Sequence, residues 1–324
     1  MRETHVVSIP MRVPFRGVTH REAVLLRGAA GWGEFSPFLE YDDAEAARWL
    51  AAALEAAEDG WPPPVRSVVP VNATVPAVAA AGVAAVLARF PGCTTAKVKV
   101  AASGQRLADD VERVAAVREA LGPDGHVRVD ANGGWTVEDA AAALAALVPY
   151  DLQYAEQPCA SLDELAALRV KLARQHLDVL IAADESVRKA ADPMRVALAG
   201  AADVVVLKVA PLGGVAPALR IAEQCGLPVV VSSALDTSVG IQAGVALAAA
   251  LPALPYACGL ATVALLAGDV CAEPADGRGG AIGVRRLEPH PELLERWAAA
   301  DERHTWWRDR LARCSALLQA DSPP

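Results

Sequence analysis

Three acidic residues stand at the ends of three successive apolar runs: Asp130 in Val129-Asp130-Ala131-Asn132, Glu156 in Tyr154-Ala155-Glu156-Gln157-Pro158, and Asp184 in Ala182-Ala183-Asp184-Glu185-Ser186. Lysines accompany them. Lys97 and Lys99 alternate with Ala96, Val98 and Val100, and Lys208 closes Leu207-Lys208-Val209-Ala210. Carboxylates crowded together without a cation repel one another, whereas a hard divalent ion such as Mg²⁺ takes oxygen ligands and relieves the repulsion. A single acid after a strand commonly caps the next helix; three in register argue for a metal, with Glu185 pointing elsewhere as a supporting partner. A lysine within an apolar strand is costly to bury unless it is paired or its pKa falls. Such a set suits proton abstraction next to a carboxylate. A divalent cation stabilises the charge that develops, and a neutral lysine, its pKa lowered by nearby positive charge, acts as the base.

The elements that must position these groups recur along the chain. Runs rich in β-branched residues cover 68–75, 96–100, 126–130, 152–156, 179–183, 204–209, 228–232 and, more weakly, 256–261. Between them lie Ala- and Leu-rich stretches of helical period, such as 107–121, 137–147, 162–173 and 215–225. Repeated βα units with nearly continuous apolar strands describe a parallel sheet covered by helices, and at this size a closed barrel is the economical solution. A doubly wound open sheet is the alternative, but no GxGxxG follows the first strand. In a barrel the carboxyl ends of the strands hold the active site, which is where all three acids fall. On the second strand Lys97 and Lys99 share one face, and Lys208 on the sixth stands across the ring from them. The predicted fold is therefore α/β, a modified (β/α)8-type barrel over residues 68–284. Residues 1–67 read instead as a small antiparallel sheet with helices. This α+β capping domain is joined by the charged, helical tail 285–324, in which Trp297, Trp306 and Trp307 serve as packing anchors.

The chain has 324 residues and a formal net charge of −9, with 53% hydrophobic and 21% charged residues. Disorder is excluded as the main description, and a nucleic-acid partner is disfavoured because it would require clustered Lys and Arg. The six cysteines are widely spaced without a CxxC pair, the six histidines form no cluster, and the start lacks the apolar segment of a secretory signal. A cytoplasmic protein is expected. The run between Asp236 and Asp269 carries no charge, but Pro252, Pro255 and several glycines break it into short buried elements rather than a membrane span.

The segments Lys97-Val98-Lys99, Asp130-Ala131-Asn132-Gly133, Glu156-Gln157-Pro158, Asp184-Glu185-Ser186 and Lys208-Val209-Ala210-Pro211-Leu212-Gly213-Gly214 together make the chain resemble the muconate-lactonising subgroup of the enolase superfamily. The resemblance implies that Asp130, Glu156 and Asp184 are Mg²⁺ ligands, that Lys99 is the acid/base with Lys97 supporting it, and that Lys208 stands opposite. Segments 15–22, 31–38, 71–75 and 232–240, with the compact length, are similar to the actinobacterial type of the o-succinylbenzoate synthase family. That likeness implies a carbon–oxygen lyase of menaquinone biosynthesis, dehydrating a small carboxylate, 2-succinyl-6-hydroxy-2,4-cyclohexadiene-1-carboxylate. Lys99 would take the proton α to the carboxylate and then, protonated, assist departure of hydroxide.

Ser232 and Ser233, ending the seventh strand, are expected either to bind the succinyl group or to cap the next helix. Phe15 and Arg16 are expected in the cap over the site, and Asn132 among the substrate-binding residues; Asn72 reads as polar lining or a turn former. The Gly213-Gly214 pair reads as a tight βα turn rather than a phosphate loop. Three rivals stand beside the dehydratase. Two lysines on opposite faces also suit an N-acylamino acid racemase or dipeptide epimerase. A lysine such as Lys208 could serve a Schiff-base aldolase, and the barrel could be an inactive binding protein. The oligomeric state is not legible.

Overall fold

The computed structural model describes residues 3–15, 17–188 and 200–320. The N-terminal unit opens with three antiparallel strands in the order β1 (Thr4–Phe15), β2 (Val18–Gly28) and β3 (Gly31–Phe35). Period-two alternation gives this sheet two apolar faces. Val6, Val24, Leu26 and Phe35 pack against Trp49, Leu50, Trp307 and Cys314, which lie on the helices Asp43–Leu54 and Asp301–Ala320. On the other face Val7, Ile9, Ala23 and Leu25 meet Val239 and Leu266 of the long charge-free run and Val270 just beyond it. Because both faces are committed, a one-residue slip in register would bury nothing correctly. Asp42 caps the first helix through the Glu45 amide at 2.8 Å. The tail returns to this unit as expected: Trp307 Nε1 donates to Glu22 Oε2 at 2.8 Å and Arg313 pairs with Asp43 at 2.6 Å.

Seven parallel strands follow in strictly sequential order, from β5 (Ala73–Val75) through β6 (Thr95–Lys99), β7 (His126–Asp130), β8 (Leu152–Glu156), β9 (Ile181–Ala183) and β10 (Val204–Leu207) to β11 (Val229–Val231). Alternate residues divide between two environments. Ala96, Val98, Val127, Val129, Ala155, Ile181, Val205, Leu207 and Val231 belong to the apolar core shared with the helices, whereas Tyr154, Ala182, Val204, Val206 and Val230 pack together inside the ring. By the same parity Lys97, Lys99, Asp130, Glu156, Asp184 and Lys208 face inward.

Two expected strands come out differently. The run 68–75 divides into β4 (Val68–Pro70) and β5, and β4 pairs antiparallel with β12 (Ala281–Gly283). Proline at position 70 has no N–H to continue a ladder, and the next two amides turn to separate partners, Val71 to Gly280 O and Asn72 to Cys258 O. The weak run at 256–261 forms only isolated parallel bridges, Val71 to Cys258 and Ser232 to Gly259. Those bridges close the ring between β11 and the first strand. The charge-free run forms the helix Ser238–Ala250, these bridges and a 3₁₀ turn at Thr262–Leu265. Among the described residues no helix is long and apolar enough to cross a membrane. The six cysteines, all among the described residues, form no disulfide.

Candidate active site

The register of the barrel brings the acids into one layer. Lys99 lies opposite Asp130 and Asp130 opposite Glu156 across β6, β7 and β8. Asp184 follows β9 immediately, and all three carboxylates are 1% exposed. Each is held by a lysine. Lys97 Nζ donates to Glu156 Oε1 at 2.8 Å and Oε2 at 3.0 Å and lies 3.2 Å from Asp130 Oδ2, so that it bridges the two acids. Lys99 Nζ donates to Asp130 Oδ2, and to Asn132 Oδ1 at 2.7 Å. Lys208 Nζ, from beyond the end of β10, donates to Asp184 Oδ2.

The environment drives the two lysines of β6 in opposite directions. Burial lowers the pKa of Lys97, but the charges of Glu156 and Asp130 more than offset it, so this ammonium is held above the ordinary lysine value. Burial dominates for Lys99; Asp130 pulls it upward while the charge of Lys97 pushes it down, and the net direction is downward. Of the pair, Lys99 is therefore the one poised to lose its proton. Burial opposes the charge on Asp130, yet Lys99 and Lys97 hold it well below the usual carboxylate range. Glu156 is pushed up to about 7 by burial and then by the negative charge of Asp130. The three buried carboxylates of this layer offer only hard oxygen donors. That donor chemistry fits a hard divalent cation. Among the described residues no three metal-binding side chains already form a closed cluster; lysine ammoniums stand on the carboxylate oxygens.

A pocket opens over this layer. Lys97, Lys99, Lys208, Thr74, Ser232 and Ser233 form its barrel side, and Phe15, Val18, Phe38 and Trp49 of the N-terminal unit roof it. The Phe15 ring centroid lies 5.2 Å from Lys99 Nζ, within cation–π range. Arg16 lies outside the described residues. Ser233 Oγ donates to Gly259 O at 2.8 Å and meets Thr262 Oγ1 at 2.7 Å, while Ser232 Oγ is 3.5 Å from the same carbonyl. Neither serine caps the next helix, since Thr237 does so through the Val239 amide. Asn132 accepts from Lys99 and donates to Glu185 Oε1 at 3.2 Å. Asn72 donates to Ala73 O and accepts from Arg128, deep within the ring.

Several contributors escaped the sequence reading. Gln157, fully buried, accepts from the Asp184 and Ser186 amides at 2.9 and 3.2 Å and so fixes the backbone that carries Asp184. Asn132 and Gln157 both hold positive φ, 48° and 39°, each one or two residues past a site acid; backbone strain of this kind gathers at functional sites. Phe38 and Leu235, which both line the pocket, are linked through Arg21, whose guanidinium lies 4.7 Å from the Phe38 ring and donates to Leu235 O at 3.2 Å.

The barrel, its cap and this charged layer together define an enolase-like enzyme. Residues 79–289 match the family described as Enolase C-terminal domain-like, and residues 6–57 match Enolase N-terminal domain-like. The chain belongs to the enolase superfamily, and that membership implies use of a divalent metal ion. It is 59% identical over 312 residues to an o-succinylbenzoate synthase of Thermobifida fusca (strain YX), covering 96% of both chains. An o-succinylbenzoate synthase of Mycobacterium tuberculosis (strain ATCC 25618 / H37Rv) is 57% identical over 315 residues, 97% of this chain and 94% of its own. Among solved structures, the muconate lactonizing enzyme of Pseudomonas fluorescens complexed with muconolactone superposes with a TM-score of 0.78 at 23% identity, over 92% of this chain and 98% of that one. The L-Ala-D/L-Glu epimerase of Bacillus subtilis gives 0.74 at 24% identity, over 89% and 96%. At those identities the two structures speak for the fold alone.

Proposed function

We infer that the chain catalyses the o-succinylbenzoate synthase reaction of menaquinone biosynthesis, eliminating water from 2-succinyl-6-hydroxy-2,4-cyclohexadiene-1-carboxylate to give the aromatic product. Its relatives at 57–59% identity over nearly their whole length are named o-succinylbenzoate synthase, and the elimination makes this a carbon–oxygen lyase. The observation that carries the mechanism is the inward-facing layer in which Lys97 and Lys99 of β6 and Lys208 beyond β10 flank Asp130, Glu156 and Asp184.

In this reading the cation is Mg²⁺, and Asp130, Glu156 and Asp184 hold it once the ammonium groups now on their oxygens give way. When bound, it supplies charge neutralisation for the substrate carboxylate next to the carbon acid. Lys99, the lysine of lowered pKa, takes the proton from the ring carbon α to that carboxylate. The electron pair forms the new ring double bond as the C6–hydroxyl bond breaks, and the proton on Lys99 passes to the departing oxygen. Substrate is consumed and o-succinylbenzoate and water leave, so the elimination balances without a further reactant. Lys97 stays charged beside Lys99; Lys208 presents a cation on the opposite side. Phe15 and Phe38 exclude water above, and Ser232 and Ser233 line the side available to the succinyl chain.

Two lysines facing each other across a bound carboxylate would also serve racemisation, so one experiment addresses both outcomes. Purified protein is given the cyclohexadiene and, separately, an N-succinyl amino acid in deuterated water. Rapid appearance of aromatic absorbance with the first substrate is expected. Failure to form it, together with deuterium entering the α-carbon of the second, would overturn the assignment in favour of a racemase.

A further inference from the structure

The barrel helices that follow β10 and β11 begin directly behind the site, and each receives a carboxylate from the N-terminal unit. Helix Val215–Cys225 starts at Gly214, which has no side chain to cap it. Glu55, at the end of the helix Asp43–Leu54, takes that role: Val215 N donates to Oε2 at 2.6 Å and Ala216 N to Oε1 at 2.9 Å. Helix Ser238–Ala250 is approached in the same way by Glu34 of β3, which accepts from Thr237 N at 3.1 Å, Thr237 Oγ1 at 2.5 Å and Gly240 N at 3.0 Å. Orphan amides at a helix start favour an anion, and charge-assisted bonds of this kind are geometrically demanding.

A glycine makes room for each glutamate. A Cβ at Gly214 would lie 2.7 Å from Glu55 Oε2, and one at Gly240 would lie 2.9 Å from Glu34 Oε2. The Gly213-Gly214 turn thus keeps its helix start open for a carboxylate of the chain itself, which leaves no place there for a bound phosphate. Only the short turn Val209–Leu212 and the two glycines separate Lys208 from the Glu55 contact, and the helix Asp43–Leu54 packs along that turn. On the neighbouring strand, Ser232, Ser233 and Leu235 of the pocket wall lead straight into the segment held by Glu34.

We propose that Glu34 and Glu55 are positioning residues, which register the roof on the barrel by gripping the two helix starts and thereby fix Lys208 and the Ser232–Leu235 wall against Phe15 and Phe38. The proposal rests on the dehydration assigned above, in which Lys208 and this wall face the substrate. Neither glutamate touches the pocket's reacting groups, so each acts through backbone that continues into them.

Three measurements on the full chain test it. First, Glu55→Ala is expected to lower kcat by about tenfold or more, because small misplacements of reacting groups are expensive, while calorimetric binding of o-succinylbenzoate keeps its wild-type stoichiometry. Second, Glu55→Gln, which keeps one acceptor, is expected to recover to within about threefold of wild type. Third, amide hydrogen exchange is expected to accelerate across 208–216 in Glu55→Ala, and across 232–241 in Glu34→Gln. A Glu55→Ala enzyme with unchanged kcat and KM and only a lower Tm would reduce the contact to stability and overturn the proposal, as would unaltered exchange at 208–216. Should the wild type fail to convert the cyclohexadiene, the reaction assignment falls by itself, and the exchange result still decides whether the grip exists.

Discussion

Replacing Lys99 by alanine is expected to lower turnover of the cyclohexadiene by about 10³-fold, about 4 kcal/mol of barrel-held transition-state stabilisation, with the fold retained. No neighbour can substitute for it. Lys97 lies on the same face of β6, but it is bridged to Glu156 and Asp130 and its proton is held above the ordinary lysine value. Lys208 faces the pocket from the far side, on Asp184. Lys97, 3.2 Å from Asp130 Oδ2, still leaves that buried carboxylate a cation when Lys99 is removed, so the fold should be retained. In the wild type the rate should fall as pH drops through the Lys99 value, because the base must be neutral, and that limb should sit below the range of an ordinary lysine. Single-turnover rates across pH for wild type and Lys99→Ala check both statements. A variant within a few fold of wild type would remove Lys99 from the chemistry.

The second large effect falls on the metal. Asp184→Asn keeps the shape of the side chain and its place beyond β9, where Gln157 fixes the backbone, but removes one of three negative charges. The concentration of Mg²⁺ needed for half-maximal turnover should rise by about a hundredfold, at least the loss seen when groups that merely support a metal ligand are removed. The same substitution leaves Lys208 without its carboxylate, so some rate should be lost even at saturating metal. An unchanged Mg²⁺ titration would strike Asp184 from the ligand set.

Much of this site was legible because two simple periodicities govern it. Strand alternation sends Lys97 and Lys99 to one face and Val98 to the other, and the barrel rule places Asp130, Glu156 and Asp184 at one end; both hold in the structure. The carboxyl-end acids could be found without knowing how strands pair, since each lies just after an apolar run. What stayed hidden depends on contacts between distant parts of the chain. Glu55 and Gly214 meet across a separation of 159 residues, 214 − 55, and nothing in either neighbourhood announces the other. Gln157 appears beside Glu156 as a polar residue of no particular period, and only the fold shows it holding the Asp184 amide. The division of the first barrel run at Pro70 was signalled by the proline itself, but the antiparallel partner that takes β4 away, β12, lies more than two hundred residues later. The serines after β11 illustrate a third kind of limit. Their residue type allowed either ligand binding or helix capping, and the structure removes only the second, because Thr237 caps that helix itself.

The most direct test is to strip the wild-type protein of metal with a chelator and follow formation of o-succinylbenzoate from the cyclohexadiene by absorbance as Mg²⁺ is returned. The expected result is turnover that vanishes on stripping and returns in full, saturably, with Mg²⁺. Full turnover by the stripped protein, with substrate trapped on Lys208 by borohydride, would contradict a cation held by Asp130, Glu156 and Asp184 and point to Schiff-base chemistry instead.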